Sequence, residues 1–324
     1  MENTGSSTIS SSPGSSTAVI RLHSMGDVIL AHPAAARLSR TGPVHFVTSE
    51  EYRPVVERMT GDIIPAVPEG DAGVPGLRRL LARIDPSGVV DLQNSVATRL
   101  ATAGFRVTGR FRMDRNRRRR VLKGTEESMP LRTDDFIAAA GFGGTGEPEL
   151  ERIRPAPDRL RVGIVAGGRW PLKSIPRGVV SESARLFHDL YGADVLITGG
   201  PGDSREVSSA ASEALRPGVD TYAGEEGVRG LIEAVEGLSL LVSPDSGPGH
   251  LAEAMGVPVL VVFTSTSPSL GFWPQDRRGN FTAGRLECRP CHRHGGSECA
   301  RGDQACRRGI LPLDLVREAM ELLE

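Results

Sequence analysis

The chain has 324 residues, enough for roughly two domains, each with a buried core. Its 39 Lys and Arg nearly balance 40 Asp and Glu, and a formal net charge of -1 excludes a protein built throughout to coat nucleic acid or an anionic membrane. Aromatics make up only 4% while Gly and Pro number 39 and 23, which suits a loop-rich α/β protein and not an aromatic-lined single-strand binder.

In chain order, residues 1–17 come first. From Glu2 to Thr17, twelve of sixteen residues are Ser, Thr or Gly, with no basic start and no apolar stretch. Such a tail buries too little surface to offset its ordering entropy, so it is expected to be disordered and is not a signal peptide. Strands follow at 18–22, 43–48, 62–67 and 88–92, with helices at 27–40, 52–59, 76–84 and 95–103. Residues 141–158, rich in Gly, Pro and charge, read as a linker. The alternation then restarts, with strands at 160–166, 193–198, 238–242 and 257–263, and helices at 179–191, 205–215, 228–236 and 249–255. A last amphipathic helix runs over 313–323 behind Pro312. Strands alternating with helices imply parallel βαβ units, hence two Rossmann-like halves (18–150 and 151–311) facing a cleft, closed by a C-terminal helix over 312–324. The longest apolar run, Val257 to Phe263, is far short of the about 20 residues a membrane-spanning helix needs, so a cytoplasmic protein is expected.

Four constellations could carry chemistry, each directly after a strand. In Arg21-Leu-His-Ser-Met-Gly-Asp27 the glycine permits a tight turn and Asp27 falls in the first turn of a helix. That carboxylate either satisfies the helix terminus or faces the cleft as a general base. In the 166–176 segment, Gly167 and Gly168 expose backbone N–H groups beside Arg169 and Lys173, an anion cradle fit for a diphosphate. Ser243-Pro-Asp-Ser-Gly-Pro-Gly-His250 places Asp245, Ser246, Gly247 and His250 at a helix start, where capping and phosphate binding are compatible readings. Gly199-Gly-Pro-Gly-Asp203 is a weaker signal, a turn that brings backbone against a nucleoside while Asp203 or Glu206 reaches ribose hydroxyls.

Taken together, these pieces resemble glycosyltransferase family 9, the ADP-heptose:lipopolysaccharide heptosyltransferases. The resemblance runs from about Val19 to the C-terminus. It is carried by Arg21 with Gly26-Asp27, by Val90-Asp-Leu-Gln-Asn94, and by Gly167, Lys173 and Pro176. Asp245-Ser-Gly with His250-Leu-Ala, Thr266 and Cys288-x-Pro-Cys291 complete it. Ile175, Gly249 and Thr264 depart from it, standing where Trp, Met or Leu, and Gly are usual. The resemblance implies a GT-B fold and an inverting, metal-independent transfer of heptose from ADP-heptose to the lipopolysaccharide inner core, with no cofactor. It implies Asp27 as the base. Gly167, Gly168, Arg169, Lys173, Asp245, Ser246, Gly247, His250 and Thr266 would hold the donor, and Arg21, Ser24, Gln93 and Asn94 the acceptor. No Asp-x-Asp pair is placed to hold a metal ion on the diphosphate, and no metal ligand is expected.

The alternative readings keep the fold but change the donor or acceptor, or leave a non-catalytic sugar-nucleotide-binding protein. Intact Asp27 and Lys173 speak against the last. Two features stand apart. Between Arg106 and Lys123 lie nine basic residues against one acid, Asp114. A charge run of this kind is expected to be a solvated, mobile loop, or a contact to a lipid-linked, anionic acceptor on the inner face of the inner membrane. RNA contact lacks a supporting motif, so no nucleic acid is expected. Cys288, Cys291, Cys299 and Cys306, with His292 and His294 nearby, have the spacing of a structural zinc site, yet also match the family's own pattern, in which metal has no part.

Overall fold

A computed structural model describes residues 16–70 and 73–324, so the proposed tail lies almost wholly outside the described residues. Its last residue does not: Thr17 opens the first strand, paired with Val44 on one side and Gly88 on the other.

The first lobe is a five-stranded sheet of β1 (Thr17–Ile20), β2 (Val44–Val47), β3 (Ile63–Ala66), β4 (Gly88–Asp91) and β5 (Val107–Arg110). Its order is β3-β2-β1-β4-β5 and every pairing is parallel. The helices are α1 (Met25–Leu30), α2 (His32–Leu38), α3 (Arg53–Val56), α4 (Val74–Ile84), α5 (Val96–Ala101), α6 (Arg115–Leu122) and α7 (Arg132–Ala139). The central strand β1 is a short apolar run because helices cover both faces of a parallel sheet. Amphipathic α4 buries Leu77, Leu80 and Leu81, exposes Arg78 and Arg79, and stops where Asp85 turns left-handed ahead of Pro86.

The second lobe holds β6 (Arg161–Val165), β7 (Asp194–Thr198), β8 (Val219–Tyr222), β9 (Leu240–Pro244), β10 (Val259–Phe263) and β11 (Asn280–Thr282), all parallel, in the order β11-β10-β9-β6-β7-β8. Its helices are α8 (Arg177–Tyr191), α9 (Ser204–Ala214), α10 (Gly227–Glu236), α11 (Gly247–Ala254), α12 (Ala305–Arg308) and α13 (Pro312–Met320). Leu315, Val316 and Ala319 of α13 join the core beneath α8.

Two expectations need correction. The single helix over 27–40 is two helices, α1 and α2, because Pro33 cannot continue the hydrogen-bond ladder and instead opens a new first turn. The basic run is not a mobile loop: it forms β5 and α6. Asp114 caps α6 by accepting from the N–H groups of Asn116 and Arg117, and Val121 packs on Met129 and Leu270. Charge dominates its composition, but one buried valine and one cap suffice to order the turn.

The lobes meet along a continuous apolar cluster that joins Val28, Leu30 and Phe136 to Leu231, Leu251 and Trp273. Arg58 pairs with Glu236 at 2.7 Å and Glu57 with Arg229 at 2.9 Å, holding α3 on α10. Two backbone bonds, Met129 N–H to Ser269 C=O and Arg132 N–H to Gly271 C=O, close the opposite side. Among the described residues, no helix is long and apolar enough to cross a membrane.

Candidate active site

The cleft has one wall from each lobe, and each wall is a strand end running into a helix. On the first, β1 leads through Arg21 and Ser24 into α1, and Asp27 sits in the first helical turn. Ser24 makes no capping bond, and Asp27 is the acidic residue of the first turn, where the helix dipole favours a carboxylate. Asp27 Oδ2 pairs with Arg21 Nη2 at 2.6 Å and accepts from Ser24 Oγ at 3.3 Å. Its other oxygen, Oδ1, is shielded and has no hydrogen-bond partner. Burial pushes the Asp27 pKa up, but Arg21, Arg132, His250 and Ser24 outweigh it, and the group is held below the ordinary carboxylate value.

Residues expected on the acceptor take two positions. Ser24 lies exposed beside Asp27. Arg21, Gln93 and Asn94 sit behind it with their polar groups engaged within the lobe. Arg21 Nη1 donates to Leu92 C=O at 2.8 Å, and Gln93 Oε1 accepts from Leu22 N–H at 3.1 Å. Asn94 donates to Phe111 C=O and accepts from Arg99.

On the second wall, the turn after β6 places Gly167 at φ +82°, where a Cβ would lie 2.4 Å from an Asp203 carboxylate oxygen. Asp203 accepts from Gly168 N–H at 2.8 Å and from Gly200 N–H at 3.0 Å, so it ties two glycine turns together. Lys173 Nζ lies 3.0 Å from Asp245 Oδ2, and Trp273 Nε1 donates to Asp245 Oδ1 at 2.8 Å. Asp245 thus has both oxygens engaged. Its burial raises the pKa, Lys173 chiefly lowers it, and the balance falls below the ordinary value. Ser246, the N-cap position of α11, makes no capping bond to the helix. At Gly249, where the resemblance expects a larger residue, a Cβ would stand 3.3 Å from the Trp273 ring and 3.2 Å from Ser243 Oγ, so the glycine leaves that ring its space.

His250 stacks on Trp273 with ring centroids 4.0 Å apart, and its Nδ1 is buried without a partner. Burial drives its pKa down to about 4, so the imidazole is neutral at neutral pH. It bridges the walls: a Cβ on Gly26 would stand 2.9 Å from the His250 ring, so only glycine lets α1 and α11 approach this closely. Thr266 is fully buried with an unpartnered Oγ1, and Thr264 Oγ1 donates to Leu172 C=O at 2.7 Å, tying the loop after β10 to the Lys173 segment.

Between the glycine turns and α10–α11 lies a cavity of about 320 Å³ that contains Gly167, Gly168, Arg169 and Ser246 in its walls. A neighbouring cavity of about 400 Å³ shares Gly167, Gly168 and Asp203 with it, whereas a larger open depression of about 770 Å³ along β3 and α4 contains none of the groups above. The cysteine segment covers the donor-side loop: Leu172 N–H donates to Gly296 C=O and Cys291 N–H to Ser265 C=O. All four cysteines are free thiols, and among the described residues no group of three or more His, Cys, Asp or Glu is arranged to hold a metal ion.

Sequence reasoning missed three residues. Trp273 had only its rarity as a signal. Tyr52 had none. Arg132, 7% exposed, stacks its guanidinium over Phe111, Phe136 and Phe272 at 4.8–5.7 Å; Phe136 lies one turn along α7, but Phe111 and Phe272 come from distant sequence.

Residues 155–299 match the family model described as glycosyltransferase family 9 (heptosyltransferase). No curated protein sequence matches the chain. Among solved structures it is similar to a family 9 glycosyl transferase from Veillonella parvula, with 19% identity and a TM-score of 0.74 over 95% of this chain and 97% of that one. It is also similar to ADP-heptose lps heptosyltransferase II of E. coli, with 18% identity and a TM-score of 0.72 over 95% and 98% of the two chains. The E. coli heptosyltransferase WaaC, solved with ADP, superposes at 13% identity and a TM-score of 0.65 over 95% and 99%. The fold is therefore the two-lobed GT-B arrangement of these transferases.

Proposed function

We propose that this chain, of which residues 155–299 match the family 9 glycosyltransferase model, moves a heptose from ADP-heptose onto a hydroxyl of a lipid-linked oligosaccharide of the lipopolysaccharide inner core, with inversion at the anomeric carbon. The observation that carries the reading is the pair of facing walls. One holds a carboxylate with a free, shielded oxygen, and the other a cationic cradle at glycine turns and a helix start.

In this mechanism Asp27 Oδ1 accepts the hydroxyl proton of the acceptor while the acceptor oxygen forms its bond to the anomeric carbon. The bond from that carbon to the diphosphate breaks, and its electron pair leaves on the phosphate oxygen as ADP. A carboxylate held below its ordinary pKa is a weak base, so it takes the proton late, once the forming C–O bond has acidified the hydroxyl. Lys173 has three N–H donors and spends one on Asp245, leaving two for the diphosphate. Arg169 and the uncapped first N–H groups of α11 add to it, and these groups stabilise the departing charge without a metal ion. Base and leaving group on opposite walls give a single displacement, hence inversion.

Ser24 is the acceptor-side contact in this reading, while Arg21, Gln93 and Asn94 fix the base from behind. The cations of α6 belong to the same lobe as Asp27, with Arg118 close enough to Arg132 for their charges to interact, and in this reading they suit an anionic acceptor presented at a membrane face. Incubation with ADP-heptose and a Kdo-lipid acceptor, followed by mass spectrometry, tests the proposal. A product heavier by one heptosyl unit is expected. Turnover of another nucleotide sugar in preference to ADP-heptose would overturn the donor assignment, and unchanged activity after chelation is expected if cationic side chains suffice.

A further inference from the structure

We propose that the nucleoside of the donor is read from the first lobe, by Tyr52 with Glu51, so that Tyr52 is a donor-specificity residue although the rest of the donor site belongs to the second lobe. This rests on the donor reading above.

The second lobe makes a box with little to recognise a base. Val228, Leu231 and Pro248 give the cavity apolar walls, and its glycine turns offer backbone. Asp203, the second lobe's carboxylate there, already accepts one N–H on each oxygen, from Gly168 and Gly200. Ser246 Oγ is engaged with Ser243 Oγ at 3.1 Å. A purine in that box would find shape but few directional partners, and ligand sites take their specificity from a small number of placed polar groups.

Those groups come from across the cleft. Tyr52 and Glu51, in the short turn ahead of α3, close the cavity from the first lobe. Tyr52 N–H donates to Ser49 C=O at 3.0 Å, and the Arg58–Glu236 and Glu57–Arg229 pairs clamp the next helix to α10. The ring is half-buried on the shared core, and Arg169 of the phosphate cradle is near enough for its charge to act on the phenol. Burial, and then Glu51, push that phenol up to about 12, so it stays a neutral hydroxyl that can donate or accept. Tyr52 therefore stands where nucleoside and diphosphate meet, with an aromatic face and a polar tip.

Calorimetric titration of the full chain with ADP, UDP and inorganic pyrophosphate separates the possibilities. Tyr52→Leu, which keeps apolar packing, and Tyr52→Ala should each weaken ADP about tenfold, the scale of one lost aromatic–base contact. Pyrophosphate affinity should stay within twofold and the preference for ADP over UDP should shrink. Tyr52→Phe should retain most ADP affinity. ADP affinity within twofold of wild type in Tyr52→Leu overturns the proposal, as does an equal loss of pyrophosphate, which marks a merely structural role. Wild-type protein that binds none of the three probes removes the donor reading itself, a result distinct from failure of Tyr52 alone.

Discussion

Asp27 and Asp245 form a natural pair. Each is a shielded carboxylate at the junction of a strand and a helix, each lies within about 3 Å of a cation, and each is held below the ordinary carboxylate pKa. They differ in one atom. Asp245 has Trp273 on one oxygen and Lys173 on the other, whereas Asp27 has Arg21 and Ser24 on Oδ2 and nothing on Oδ1. An unmade bond to a buried acceptor costs about 1–3 kcal/mol. A fold retains such a group where something else fills the position, and in the proposed reaction the acceptor hydroxyl does. In the proposed reaction the same local motif serves once as a reacting group and once as an anchor for a lysine and a tryptophan.

Two amide substitutions can break that comparison. Asp27→Asn removes the base while its amide oxygen still accepts from Arg21. The expected loss is about 10²–10⁴-fold in kcat, with ADP affinity within twofold of wild type and a small change in melting temperature. Asp245→Asn leaves one oxygen for two donors, so either Lys173 or Trp273 loses its partner. That variant should lose about 1–3 kcal/mol of stability in urea titrations and bind ADP more weakly. An Asp245→Asn enzyme as stable as wild type, or an Asp27→Asn enzyme that turns over normally, would reverse the assigned roles. Lys173→Ala sharpens the same contrast: loss of charge-assisted bonds should weaken ADP about tenfold to a hundredfold by calorimetry while the fold is retained.

His250, between the two carboxylates, gives the pair a pH signature. Its pKa is about 4 in the folded chain against 6.5 for an unperturbed histidine, burial being the main cause and Lys173 adding to it against Asp245 and Asp27. Between those values the unfolded chain binds a proton that the folded chain refuses, so stability falls as pH drops from 6.5 toward 4, by up to about 3 kcal/mol. Asp27 and Asp245 have depressed values, so their contribution persists above the unfolded carboxylate pKa and is lost only at lower pH, outside this window. His32 and His294 are shifted in the same direction as His250, and the difference between wild type and His250→Gln isolates the one group. Urea titrations at several pH values should show a shallower slope in the variant. Parallel slopes would mean His250 is solvated and charged in the folded protein.

The sheets were legible because a parallel strand buried on both faces is an apolar run with a turn at each end, and β1, β9 and β10 are such runs. The placement of Asp27, Lys173 and Asp245 at the cleft was legible for a related reason: in this architecture ligand clefts open where strands end, and each follows such an end with a glycine nearby. What was hidden depends on tertiary neighbours. The sequence offered Asp203 or Glu206 as a ribose contact, but that Asp203 ties two glycine turns together is set by tertiary neighbours that no spacing rule reveals. Trp273, Tyr52 and Arg132 reach the cleft from segments with no local signature. The basic run misled because nine cations outweigh a buried Val121 in any window, although the cap at Asp114 was readable in hindsight.

The smallest expected effect concerns a third cationic region, which differs from both walls in that two of its cations lack a paired carboxylate. Among the described residues, Arg118 of α6 and Arg293 of the cysteine segment form no ion pair, whereas Arg117 and Arg120 share Glu126. The charges of Arg293, Arg132 and Arg115 converge on Arg118, and burial together with that repulsion lowers its pKa. Cations from both lobes held together without a counter-charge are disfavoured unless an anion joins them, which a phosphorylated acceptor or an anionic lipid headgroup would do. Near an anionic surface each such charge is worth about 1 kcal/mol. Arg118→Glu should therefore reduce sedimentation with anionic vesicles severalfold at low salt. The difference should vanish at high salt, where the Debye length shrinks to a few ångströms. ADP affinity should not change, since the walls keep their own pairs. Equal vesicle binding by wild type and variant at low salt would reduce the region to a solvated face, leaving Asp27 and Lys173 as the charges that matter to the reaction.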